Sequence, residues 1–194
     1  MENFWFYIQM GLEHVLDLEA YDHILFLAAL SVPFTFASWK KIVVLATIFT
    51  IAHCTSLALS VFGILVVDVG LIEFLIPITI FFTAVHNIIQ STKPAENRNM
   101  VLYSVATGFF GLVHGFGFSN YFKMLMEGEV EKISPLLGFA AGIEFSQILI
   151  LLAVLCINYM ARALFAIKQP LFTQVMSIII LFITIPMLIA TFPW

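Results

Sequence analysis

The sequence predicts an all-α protein, a polytopic membrane helix bundle of about six transmembrane helices with an N-terminal interfacial helix. Three observations carry this. Of the 194 residues, 62% are hydrophobic and only 10% charged, where a soluble domain carries about 25% charged. Six apolar runs, at about 22–38, 42–62, 69–89, 100–120, 134–160 and 171–192, are mostly long enough for the ~20 residues that cross a bilayer core. The intervening loops are short, with no internal repeat or low-complexity segment. They leave no room for a second soluble domain, so residues 1–194 read as a single integral membrane domain. The net charge of −4 is spread over loops, and no nucleic-acid surface is implied.

Residues 3–16 read as an amphipathic helix at the interface, with Phe4, Trp5, Phe6 and Ile8 touching lipid or neighbouring helices. No Lys or Arg precedes this stretch and no small-residue cleavage site follows it, so a cleaved signal peptide is not expected. The first span holds Pro33 and reads as a short or kinked helix whose upper end stops at a polar cluster. Lys40 and Lys41 follow the first span, Lys93 and Arg98 the third, and Arg162 and Lys168 the fifth. With six crossings these basic residues share one side. The other side carries Asp68, and Lys123 and Lys132 diluted by Glu127, Glu129 and Glu131. The positive-inside rule then places both termini outside. Cys54 and Cys156 fall inside apolar runs and read as buried free thiols.

The stretch from Gly11 to Leu27, GLEHVLDLEAYDHILFL, holds two histidines, two aspartates and two glutamates with no Lys or Arg. Such a cluster at the mouth of an apolar helix is costly unless something binds there. Further along, His53, His86 and His114 lie within apolar runs, as do Glu73 and Glu144. At ~1.5 Å rise per residue, His53, His114 and Glu144 fall in the outer half of their helices, on the side where Asp22 and His23 begin the first span. The candidate metal ligands are therefore His14, Asp22, His23, His53, His114 and Glu144. Imidazole with carboxylate suits a divalent transition metal such as Ni²⁺ or Zn²⁺, whereas carboxylates alone suit Mg²⁺ or Ca²⁺.

Spacing adds detail. His14 and Asp17 are i,i+3, Thr50, His53 and Leu57 share a helical face, and Glu144 and Gln147 can project together. At a helix start Asp22 can cap while His23 ligates. Gly111 with Gly115, and Gly138 with Gly142, are small-xxx-small pairs that let backbones approach. Gly115 and Gly117 are expected to loosen the helix after His114. Plainer readings stand beside these. His86 suits an interhelical hydrogen bond, His14 an interfacial position, Asp22 a simple N-cap, and Glu13, Asp17 and Glu19 a solvated face. In the inner half only Thr79, Thr83, His86 and Asn87 offer polar steps.

Four segments in series, AYDHILFLAAL, FTIAHCTSLAL, FGLVHGFGF and GFAAGIEFSQ, resemble the successive signatures of the HupE/UreJ family of membrane proteins. The resemblance runs from about Gly11 to Gln147. It departs from the family pattern at Ala20, where Gly is common, and at Cys54, where Ser is frequent. The resemblance implies a bacterial cytoplasmic-membrane permease for Ni²⁺ or a related metal, with the six candidate ligands carried over position by position. The expected partners are the metal ion and the lipid bilayer, and a homo-oligomer is compatible with the sequence. The alternative reading is an intramembrane zinc-type metalloenzyme, a hydrolase or transferase. It would act on a lipid or membrane-protein substrate from the outer leaflet, with Glu144 or Asp22 as general base. A third is a non-catalytic subunit held together by its polar cluster.

Overall fold

The computed structural model describes residues 2–93, 98–127 and 131–193. Glu129, counted above among the diluting acids, lies outside the described residues. These form seven α-helices and one 3-10 turn, and no strand among the described residues. The helices are α1 (Glu2–Leu16), α2 (Asp22–Ser31), α3 (Trp39–Val61), α4 (Val69–Ile89), α5 (Met100–Leu125), α6 (Ile133–Phe165) and α7 (Gln169–Ala190), and the turn is Phe36–Ser38. Helices α3 to α7 are long and apolar enough to cross a membrane. The boundaries have local causes. The Asp68 carboxylate accepts from Leu71 N–H at 2.8 Å and caps α4. The Asn99 side chain accepts from Val101 and Leu102 N–H and caps α5. Gly63, at φ 69°, turns the chain after α3.

Lys40 and Lys41 lie in the first turn of α3 rather than in a loop before it, because the 3-10 turn brings the chain directly into that helix. Both cysteines are free, but Cys54 is only half-buried and Cys156 is exposed, so the second thiol does not face the core as expected.

The five long helices alternate in direction. The upper end of the bundle holds the C-termini of α3, α5 and α7, and the lower end holds their N-termini. Glycine decides which helices touch. A Cβ on Gly111 would meet Phe49 O at 2.6 Å and Ala52 Cβ at 2.9 Å, and one on Gly115 would meet the His53 carbonyl and Ser56 Oγ. Helices α3 and α5 therefore lie backbone to backbone. Helix α5 is unbroken through Gly115 and Gly117. The expected loosening does not occur, because Gly115 is used for contact instead. In the same way Gly138 closes on Phe4 O at 2.8 Å, and Gly142 on Leu12 N at 2.8 Å. This sets α1 lengthwise against the first half of α6.

The two N-terminal helices run in series along α6. Phe4 stands beside Gly138, and after α2 the Phe34 carbonyl accepts from Asn158 Nδ2 at 2.8 Å. Helix α2 has ten residues, ~15 Å, and cannot cross alone. Helices α1 and α2 together cover the length of one spanning helix, broken at residues 17–21. The lower end of this broken element is anchored by amides. Asn87 Nδ2 donates to Ala29 O at 2.6 Å and Gln169 Nε2 to Val32 O at 3.0 Å. These bonds satisfy carbonyls that a helix end leaves without intrahelical partners, next to Pro33, which cannot continue the ladder. Around α2 the core is aromatic: Phe26, Phe34, Phe49, Phe122 and Phe139 are fully buried.

Candidate metal centre

The break between α1 and α2 builds the site. His14 is in the last turn of α1 and His23 is the second residue of α2, so the intervening turn brings their rings edge to face at 4.6 Å. His53 comes from α3, 5.7 Å from each of them between ring centroids. His114, from α5, approaches His23 to 5.1 Å. His14, His23 and His53 each offer a ligand atom, and these atoms lie within 4.8 Å of one another.

Hydrogen bonding sets the tautomers. His114 Nδ1 donates to Phe110 O at 2.9 Å, so its Nε2 carries a lone pair. His23 Nδ1 donates to Asp22 Oδ1 at 3.2 Å, which likewise frees Nε2. Anchoring one ring nitrogen to a carbonyl or carboxylate so that the other points at a metal is the usual second contact of a ligating histidine. Nε2 of His14, His23 and His114 and both nitrogens of His53 are buried without a hydrogen-bond partner. An unsatisfied buried polar atom costs ~1–3 kcal/mol. Four helices bear that cost at one place. The surroundings are dry: His14 lies 3.9 Å from Phe118, which stacks on Phe139, and Phe49 flanks His53 and His114.

The other candidates occupy different places. Asp22 reaches the cluster through His23. Glu144 meets α3 instead: its two oxygens accept from Thr47 and Thr50 Oγ1, each at 2.6 Å, and Gln147 Nε2 donates to Thr50 Oγ1 at 3.1 Å. The expected pairing of Glu144 with Gln147 is thus real, but it converges on Thr50. Asp17 lies past the end of α1, where its carboxylate accepts from Glu19 N–H at 2.8 Å and does not orient His14. Glu13 is exposed and accepts from Gln9, and Glu73 is exposed. His86 stands apart in the lower half, edge-on to Tyr103 at 5.6 Å. Sequence reasoning missed Thr47, Phe110 and Phe118. Thr47 had a readable signal, since Thr47, Thr50 and His53 form an i,i+3 stripe on α3.

A bundle of apolar helices around buried, unpartnered imidazoles defines a multi-pass membrane protein with a nitrogen-donor centre. The chain belongs to the HupE/UreJ family: the family model described as HupE / UreJ protein matches residues 1–191. That family is associated with nickel and metal transport. No curated protein and no solved structure matches the chain.

Proposed function

We propose that this chain carries Ni²⁺ or a related divalent transition metal across the bacterial cytoplasmic membrane. His14, His23, His53 and His114 bind the ion, and Asp22 orients His23. The observation that carries this is the convergence of unpartnered imidazole nitrogens from α1, α2, α3 and α5. Nitrogen donors favour Ni²⁺, Co²⁺ or Zn²⁺ over Mg²⁺ and Ca²⁺.

Access runs through the helix break. His23, His53 and His114 are 3%, 0% and 1% exposed, while the Asp22 side chain keeps 16% and His14 is half-buried. The break residues Asp17 and Glu19 are exposed, with no Lys or Arg in the segment, and their charge concentrates cations at the opening. Ser31, Thr173, Ser177, Asn87 and Asn158 are buried polar residues as well. These oxygen donors extend the short series of polar steps visible in the sequence, and they hold a transition metal weakly enough to release it. The basic residues at the lower end support an orientation with that end in the cytoplasm and both termini outside.

The test is metal content of the purified protein by mass spectrometry, followed by Ni²⁺ uptake into proteoliposomes. The expected result is about one equivalent of bound transition metal and saturable uptake, both lost in His53→Ala. Purified protein without metal, even after incubation with Ni²⁺, sinks the proposal. One observation favours a second reading. Of the four imidazoles, His14, His23 and His53 bring their ligand atoms within 4.8 Å of one another, and three histidines are also the donor set of a catalytic zinc site. Bound metal with no uptake turns the assignment to a membrane metalloenzyme acting on a lipid or membrane protein.

A further inference from the structure

A second feature lies below the metal centre, between α4 and α5. Helices α4 and α5 splay apart below the metal centre and leave a cleft of about 460 Å³, walled by Phe82, Thr83, His86, Tyr103 and Phe110 with Leu30 of α2 at its back. The wall is almost wholly apolar, and Phe82 and nearby Leu102 are exposed. The cleft thus opens sideways, toward the hydrocarbon of a surrounding bilayer.

Its lower mouth is cationic. Arg98 is 7% exposed. Its Nη1 donates to the Tyr103 hydroxyl at 2.9 Å, and its Nη2 to the carbonyls of Gln90 and Lys93 at 3.3 and 3.4 Å. The guanidinium carbon sits 5.9 Å from the Phe34 ring centroid, and Nε has no partner. All these contacts are neutral. Among the described residues no carboxylate pairs with Arg98, the one ion pair being Asp22 with His23. Lys93 is exposed beside it. A guanidinium withdrawn from water without a counter-charge is costly, and at a membrane edge the anion at hand is a lipid phosphate.

We propose that the α4–α5 cleft binds an anionic phospholipid, with an acyl chain between Phe82 and Tyr103 and the phosphate at Arg98 and Lys93. Both features are needed. The apolar cleft alone takes any acyl chain, while the two cations, paired with no carboxylate among the described residues, select the headgroup, as basic pockets between helices on the cytoplasmic side do. The site also touches the metal centre, because Phe110 closes the top of the cleft and its carbonyl holds His114 Nδ1.

The test is native mass spectrometry of the full chain in mild detergent, with equimolar phosphatidylglycerol and phosphatidylcholine of identical chains. One phosphatidylglycerol should be retained in preference to phosphatidylcholine. Lys93→Gln and Arg98→Gln should each reduce that preference about five-fold, the effect of one basic group near a lipid surface. Arg98→Gln also removes the Tyr103 bond, so a second variant is required. Ala106→Phe fills the cleft and leaves both cations in place. It should lose the retained lipid while keeping its helical circular dichroism. Equal retention of the two lipids by the unaltered chain, or undiminished phosphatidylglycerol on folded Ala106→Phe, overturns the proposal.

Discussion

Two polar centres sit within a turn of one another on α3, the one at Glu144 half-buried and the one at His53 fully buried, and they are built differently. Around Glu144 the carboxylate is answered: threonine hydroxyls at 2.6 Å donate to both of its oxygens, and Gln147 Nε2 donates on to Thr50, with Gln147 Oε1 the one acceptor there without a partner. Around His53 both of its own nitrogens and the Nε2 atoms of His14, His23 and His114 lack partners. A satisfied buried network rigidifies helix packing, whereas a concentration of unsatisfied atoms calls for a ligand. The difference teaches where to look. Glu144 is the conspicuous acid within an apolar run, yet the imidazoles carry the free lone pairs.

Substitutions can break that contrast. The largest effect is expected for His53→Ala, which removes the ring whose two nitrogens are both unpartnered and should lower metal affinity by about 100-fold or more, read by equilibrium dialysis. Asp22→Asn keeps a side chain of similar shape but weakens the contact that orients His23. It should cost about 10–100-fold in affinity, the usual loss on removing such a support. Gly115→Ala forces a methyl group against the His53 carbonyl and Ser56. It should destabilise the α3–α5 pair by ~1–3 kcal/mol, seen as a lower unfolding temperature in detergent. Glu144→Gln should act least on the metal, changing its affinity by less than about three-fold while lowering thermal stability by ~1–2 kcal/mol through the lost charge-assisted bonds. A Glu144→Gln protein that loses its metal as His53→Ala does would erase the distinction between the two centres.

Much of this architecture was legible in the sequence. The apolar runs located the five long helices, and the HupE/UreJ signatures surround His23, His53, His114 and Glu144. Periodicity placed Thr50 and His53 on one face, and both are buried there. Other features were not legible. Residues 3–16 carry a helix signal, but only the approach of Gly11, Gly138 and Gly142 shows that α1 packs along α6. That packing brings His14 to His23. The same geometry makes the acidic stretch, a cluster at the mouth of an apolar helix in the sequence, a break within one long element.

The sequence by itself determined which segments are helical and apolar, and which residue types are too polar to lie there without a purpose. Those properties are local: each follows from transfer energy and helical period along a single segment. Only the tertiary structure decided which polar groups meet. Hydrogen-bond satisfaction is a relation between helices far apart in the chain. Thr47 and Glu144 stand 97 residues apart, and no local pattern records that one answers the other while the histidine nitrogens are left free.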